Sequence, residues 1–391
     1  MKKLLVIVLA IAMVLSMAAC GSGSSANQEI KIGVIVADDT GSEALAFRSY
    51  YEDYIQKEYE NVTFMYSTKC ENAAQEADAI NNFIANNCKA VISFSSSDRP
   101  AQIELCQQNK VYYAVATGTL TDEEYETYKS YEYYVGAIGP DNATEYQAGY
   151  DMAKYYLDQG KTSFAMFGGA TPYYTEMHIY RAAGMLAAMA DAGGSSYEGA
   201  NGMAIVGKIY EDNCEINTCD MGSVSLVAYV GGYNFDDAWF GALAAAANSG
   251  AEICLAVGSG ETAFSGFVPD GVTYGDIDAY TETNASYFAA GKLSYMAGKF
   301  SSSIGPIFVA TVSAVEGKPI RTYEGYALAL SQGYWVATDE DTFNTYLASS
   351  SSVSAPAYTK EILDKYIGAS YSDFADFVAQ YSYDEISSLS K

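Results

Sequence analysis

The chain has 391 residues, 48 of them acidic and 21 basic, for a formal net charge of −27, and half its residues are hydrophobic. This balance excludes nucleic acid and anionic lipid surfaces as electrostatic partners. The length suits two domains, and the apolar content excludes a largely disordered chain.

Residues 1–19 open with Lys2 and Lys3, run apolar from Leu4 to Leu15 and end in small residues. This is the pattern of a secretory signal peptide. The apolar run is shorter than the roughly 20 residues a spanning helix needs. Ser16-Met17-Ala18-Ala19-Cys20 resembles the lipobox of bacterial lipoproteins, with Met17 where the family more often has Leu. The resemblance implies a lipidated Cys20 as mature N-terminus and a protein anchored outside the cytoplasm. Residues 20–29 then form a flexible Gly/Ser leash. Six cysteines follow: Cys70, Cys88, Cys106, Cys214, Cys219 and Cys254. Cys214 and Cys219 are spaced to staple one loop in an oxidising compartment. Cys254, in an apolar run, reads as a buried thiol. No C-x-x-C spacing supports zinc or redox chemistry.

Residues 30–36 form an apolar run of the parallel-strand type. A loop containing Asp38, Asp39 and Gly41 leads to a helix over 43–59. The pattern continues with a strand at 62–67, a helix at 73–87 and a strand at 90–95. Ser96 to Pro100 then opens a helix through 108, and a strand follows at 111–116. Such alternation argues for a doubly wound parallel sheet. It then restarts with a strand at 133–138, a helix from Gly139-Pro140-Asp141-Asn142 through 157, a strand at 163–167 and a helix ending near 192. A strand at 204–210, a helix at 235–248 and strands at 252–257 and 272–277 complete the second unit. Beyond Lys292 the pattern shifts to a helix over 300–315, which Gly317-Lys318-Pro319 ends. Residues 340–391 read as mostly helical and polar, interrupted by a loop at 349–356. The expected fold is therefore α/β, with two doubly wound parallel-sheet lobes. Ligands of such sheets bind at the carboxyl ends of the strands, so facing lobes would share a cleft.

Several segments resemble the type I solute-binding proteins of ABC importers over roughly residues 30–325. Asp78-Ala79-Ile80-Asn81-Asn82-Phe83-Ile84 and Lys89-Ala90-Val91-Ile92-Ser93 are similar to the second helix and third strand of ribose-type members. Val135 to Asn142, with Ala148-Gly149-Tyr150, resembles their crossing into the second lobe. Arg181-Ala182-Ala183-Gly184-Met185 resembles a helix start bearing a ligand-binding Arg. Tyr274-Gly275-Asp276-Ile277-Asp278 resembles the strand that ends in a ligand-binding Asp. Glu316-Gly317-Lys318 and Thr322 to Leu328 instead resemble the nucleoside-binding lipoproteins of the basic membrane protein family. The N-terminal signature of that family is missing, and Asp38 to Phe47 stands in its place.

The resemblance implies a lipid-anchored receptor that closes on a small polar solute and presents it to a membrane permease. It implies a first lobe of 30–138 plus about 299–320, and a second of 139–298 plus about 321–391 with a helical tail. Hinge crossings are expected near Gly139, Gly298 and Pro319. A simple sugar is the expected ligand. The alternatives are a nucleoside, or a sensing role toward a membrane signalling partner.

Sugar recognition needs planar polar groups for hydroxyls and aromatic faces for the ring. Asp98 and Arg99 end the third strand, although Asp98 before Pro100 is equally a helix N-cap. Arg181 and Asp278 are the candidates in the second lobe. Asp39 joins them from the first strand-to-helix loop, and Phe47, Tyr173, Tyr174 and Trp239 are candidate stacking rings. Catalysis finds little support. The one histidine, His178, stands without a Gly-x-Ser-x-Gly elbow, and no P-loop appears. Gly258-Ser259-Gly260 with Ala263 fits a relaxed dinucleotide fingerprint, but it equally suits the edge of a cleft. No cofactor, metal or catalytic residue is expected.

Overall fold

A computed structural model of the protein describes residues 29–95, 97–169, 176–195, 207 and 219–389. The Cys20 region, Tyr173, Tyr174 and Cys214 lie outside the described residues, as does the strand expected at 204–210 except for Gly207, which is helical. Among the described residues, no helix is long and apolar enough to cross a membrane.

The first sheet is wholly parallel. Its strands are β1 (Ile30–Ile35), β2 (Val62–Tyr66), β3 (Ala90–Ser93), β4 (Tyr112–Val115), β5 (Tyr134–Gly139) and β12 (Leu328–Ser331). Their order is β12-β5-β4-β3-β1-β2, and every pairing is parallel. Ile32, Val34 and Ile35 are fully buried, as expected of a strand covered on both faces. The intervening helices are α1, α2 (Ala73–Ala85), α3 (Arg99–Asn109) and α4 (Asp122–Tyr128). Helix α1 runs Ser42–Ser49, widens to a π-helical segment over Tyr50–Ile55 and closes with Gln56–Glu58. The wide turn carries Tyr50, Tyr51 and Tyr54, all buried. The Tyr51 ring stacks on Phe64 of β2 at 4.5 Å between centroids.

The second sheet has the order β13-β11-β10-β9-β6-β8-β7. Its parallel centre comprises β6 (Ser163–Gly169), β8 (Val224–Gly231), β9 (Ile253–Ala256), β10 (Thr273–Ala279) and β11 (Leu293–Lys299). The edge strands β7 (Cys219–Met221) and β13 (Trp335–Ala337) pair antiparallel. The helices here are α5 (Asn142–Asp158), α6 (Glu176–Gly193), α7 (Asp237–Ala247), α8 (Gly260–Phe264) and α9 (Glu282–Ala289). The α10 helix (Gly305–Val315) follows a 3-10 turn at Ser301–Ile304. It is buried from Gly305 to Ala314 because it packs between the first sheet and the tail. Pro306 sits in its first turn, where a missing N–H costs nothing.

Two expectations need correction. Residues after 320 do not all join the second lobe: β12 closes the first sheet beside β5, and only then does β13 enter the second. The third crossing therefore lies at residues 332–334, not at Pro319, which is exposed between two first-lobe elements. The other crossings follow β5 and β11, beside Gly139 and Gly298. The tail also divides. Its helices are α11 (Glu340–Ser351), α12 (Lys360–Asp364), α13 (Tyr371–Ala379) and α14 (Tyr383–Leu389). Helix α11 packs on α9 and β13 in the second lobe, whereas α12 packs on α10 and α13 on β12 in the first.

Candidate functional site

The carboxyl ends of both sheets converge on a cleft made of three neighbouring cavities. The largest of the three, about 330 Å³, lies between the loops after β3 and β4 and the start of α6. The second, about 260 Å³, lies against α1. The third, about 120 Å³, lies against the ends of β9 and β10. Met177 and Lys299 line all three, which makes the cavities one continuous region. The largest of them is of the size that holds a small molecule, roughly 300–1,000 Å³.

On the first-lobe side the loops are fixed by capping and by buried polar groups. The Asp98 carboxylate accepts from the Ala101 N–H at 3.0 Å and caps α3, while the residue also lines the 330 Å³ cavity. The capping role weighed for Asp98 is thus present, at a position that also edges the cavity. Arg99 lines the same cavity with its guanidinium turned onto carbonyls. It donates to Thr119 O at 2.6 Å, Thr117 O at 2.8 Å and Ser95 O at 3.3 Å. Beneath this loop Glu76 is almost fully buried. It accepts from the hydroxyl of Ser95 and, at 2.8 Å, from Gln102 Nε2. Gln102 in turn accepts from Ser93 and Tyr113. This network holds the turn that carries Asp98 and Arg99. Phe47 lines the 260 Å³ cavity with its ring 5.5 Å from that of Phe94.

On the second-lobe side Arg181 is the organising group. It is 4% exposed, and its five N–H groups are all used within the protein. Nε donates to Glu145 at 2.6 Å, and Nη1 donates to Val257 O at 2.6 Å and Ile277 O at 3.2 Å. Nη2 donates to Glu145 at 3.3 Å and to the Tyr334 hydroxyl at 2.6 Å. The Tyr334 hydroxyl donates to Glu145 at 2.8 Å. Arg181 therefore lines the 120 Å³ cavity as a tie between two strand ends, α5 and the third crossing. Its guanidinium offers no spare donor to a ligand in this geometry.

Asp278 closes β10 and lines the same cavity. Its Oδ2 accepts from the Ser259 N–H at 2.9 Å, an approach made possible by Ser259 adopting a left-handed φ of 52°. Burial pushes its carboxyl up to about 6, and the Glu43 charge acts in the same direction. Its neighbour Asp276 is fully buried, and its Oδ1 has no partner. Burial, with the charge of Asp278 next, drives Asp276 well above the usual carboxylate range. His178 faces the same cavity. Burial holds it down at about 3, with the Arg181 charge adding to the effect, so the imidazole is neutral.

Other candidates lie elsewhere. Asp39 is exposed on its loop and lines none of the three cavities. Trp239 is 4% exposed, packed among Phe167, Tyr233, Phe235 and Phe240 inside the second lobe. It lines none of the three cavities. Gly258 and Ser259 stand at the cleft edge. Sequence reasoning missed Glu43, Phe94, Glu145, Lys299 and Tyr334. Lys299 ends a strand, the one signal that marks it. Its Nζ lies 3.4 Å from Glu43 Oε1, joining the lobes across the cleft. Among the described residues, no group of three potential metal ligands gathers.

No protein-family model matches the chain, and no curated protein sequence does. Solved structures do. One is an ABC transporter solute-binding protein from Bacillus halodurans C-125 with bound myo-inositol. It is 16% identical, with a TM-score of 0.56 over 83% of this chain and 99% of that one. Another is a periplasmic solute-binding protein from Actinobacillus succinogenes 130z with bound D-allose. It is 14% identical, with a TM-score of 0.57 over 81% and 100% of the two chains. A third is a carbohydrate transporter solute-binding protein from Chloroflexus aurantiacus in complex with D-glucose. It is 14% identical, with a TM-score of 0.57 over 80% and 93%. The two parallel-sheet lobes are thus the fold of the type I periplasmic binding proteins.

Proposed function

We propose that this chain is the extracytoplasmic solute-binding receptor of an ABC importer, taking up a simple sugar or cyclic polyol by closing its two lobes. One observation carries this reading: the strand ends of both sheets face a single polar cleft, spanned by Lys299 and Glu43. Ligand contacts made from both lobes at once stabilise the shut form, so binding and closure are one equilibrium. The bound inositol, allose and glucose of the neighbours support a polyhydroxylated ligand. The reading includes cleavage of residues 1–19, lipidation at Cys20 and delivery to a membrane permease. It assigns no catalytic step.

Calorimetric titration of the full chain in mild detergent with myo-inositol, D-allose, D-glucose and a wider panel of simple sugars tests the reading. A dissociation constant of about 1 μM or below for at least one member, roughly −8 kcal/mol, is expected. Absence of binding across the panel would contradict it. For the anchor, Cys20→Ser should move the protein from the membrane fraction to the soluble one. Unchanged fractionation would remove the lipid from the proposal.

A further inference from the structure

The charge of the cleft narrows the class of ligand. The 330 Å³ cavity is lined by four carboxylates, Asp98, Glu124, Glu145 and Glu176, and by two cations, Arg99 and Lys299. Both cations already contact protein groups. Arg99 donates three of its five N–H groups to carbonyls. Lys299, 12% exposed, pairs with Glu43. Arg181, in the adjoining cavity, has its five N–H groups occupied. Among the described residues, an entering carboxylate or phosphate would therefore meet more carboxylates than cations in this cavity, with three of the five Arg99 N–H groups and the Lys299 ammonium already drawn onto protein acceptors. Uncharged hydroxyls face no such barrier, because they donate to carboxylates and accept from Lys299.

We propose that the cleft is a charge filter that admits uncharged polyols and rejects sugar acids and phosphorylated sugars. Glu43 sets the filter by holding the Lys299 ammonium. The proposal rests on the reading of the cleft as a sugar site and deepens it. Like charges brought together in an interface are strongly disfavoured. Replacing Glu43 with Gln keeps the side-chain shape, removes the neutralising charge and releases the ammonium toward the cleft.

The test has two arms on the full chain. In the first, matched solutes are titrated into the wild type and Glu43→Gln: D-glucose, D-glucuronate and D-glucose 6-phosphate, with the same series built on any better-binding sugar. In the wild type each anionic member should bind at least about 100-fold more weakly than its neutral parent. The gap should narrow about tenfold or more in Glu43→Gln. An anionic member binding within tenfold of its parent in the wild type, or a gap unmoved by Glu43→Gln, overturns the filter. The second arm needs no sugar. Inorganic phosphate at constant ionic strength should raise the Tm of Glu43→Gln saturably and leave that of the wild type flat. Equal responses contradict the filter. If no sugar of any charge binds, the receptor reading fails, while the phosphate arm still decides the role of Glu43.

Discussion

The guanidinium of Arg181 draws four pieces of chain to one point: Glu145 on α5, the carbonyls of Val257 and Ile277, and the Tyr334 hydroxyl on the third crossing. Removing one member of a buried ion pair strands the other, so Arg181→Ala should cost about 3–5 kcal/mol in denaturant unfolding. Tyr334→Phe removes hydrogen bonds to charged groups and should cost less, about 1.5–3 kcal/mol. Equal losses in the two variants would contradict this division of roles. Asp278 and His178 share the same cavity, and their shifts act in opposite directions. Asp278 in the folded state holds its proton from its ordinary value near 3.8 up to about 6. Its contribution is therefore present at low pH and lost as pH rises through that window. His178, held down at about 3 from 6.5, refuses a proton that the unfolded chain takes. Its contribution is present above pH 6.5 and lost as pH falls toward 3. Asp278→Asn should make stability climb more steeply between pH 4 and 6, and His178→Gln should make it fall. Unfolding free energies measured across that range decide the signs. The role of Arg181 was only half legible in the sequence. Its place at the cleft was implied by the family resemblance of the helix that bears it, but its saturation depends on Glu145 and Tyr334, which lie 36 and 153 residues away.

Helices α5 and α6 pack closely because each offers a glycine to the other's backbone. A Cβ on Gly149 would lie 2.0 Å from the Arg181 carbonyl oxygen, and one on Gly184 would lie 2.0 Å from that of Tyr146. Backbone cannot give way as a flexible side chain can, so Gly184→Ala should destabilise by about 1–3 kcal/mol or more. Neutral behaviour in thermal unfolding would mean that the helices separate at little cost. The elements easiest to read from sequence were those with apolar parallel strands and strong caps. Asn72, Asp98, Asp141 and Asp236 each cap the helix that follows. The strand β11 escaped notice because Leu-Ser-Tyr-Met-Ala-Gly-Lys contains no β-branched residue and does not alternate cleanly. Short β12 and β13 owe their existence to the neighbouring sheet edges, information no local window holds. Trp239 was read as a stacking ring from residue type alone, whereas its position in α7 turns it into the lobe interior.

In the whole molecule, the chain crosses between lobes after β5, after β11 and between β12 and β13, and the tail returns to the first lobe between α11 and α12. The alternation of strand and helix was enough to predict two parallel-sheet lobes and a cleft at their strand ends. It did not reveal the exchange after residue 320, because the two sheets compete for strands only in three dimensions. The Glu43–Lys299 pair bridges the lobes at the cleft, and the tail packs on both of them. Closure is therefore expected to be a rotation that these crossings permit and ligand contacts stabilise. The measurement that tests the central claim most directly is native mass spectrometry of the chain purified from its host in mild detergent, followed by calorimetry with the molecule it retains. The account predicts an uncharged sugar or cyclic polyol, released on unfolding and rebound on refolding. Retention of a nucleoside or an anionic solute would contradict it, as would a bare protein that stays bare through the sugar panel.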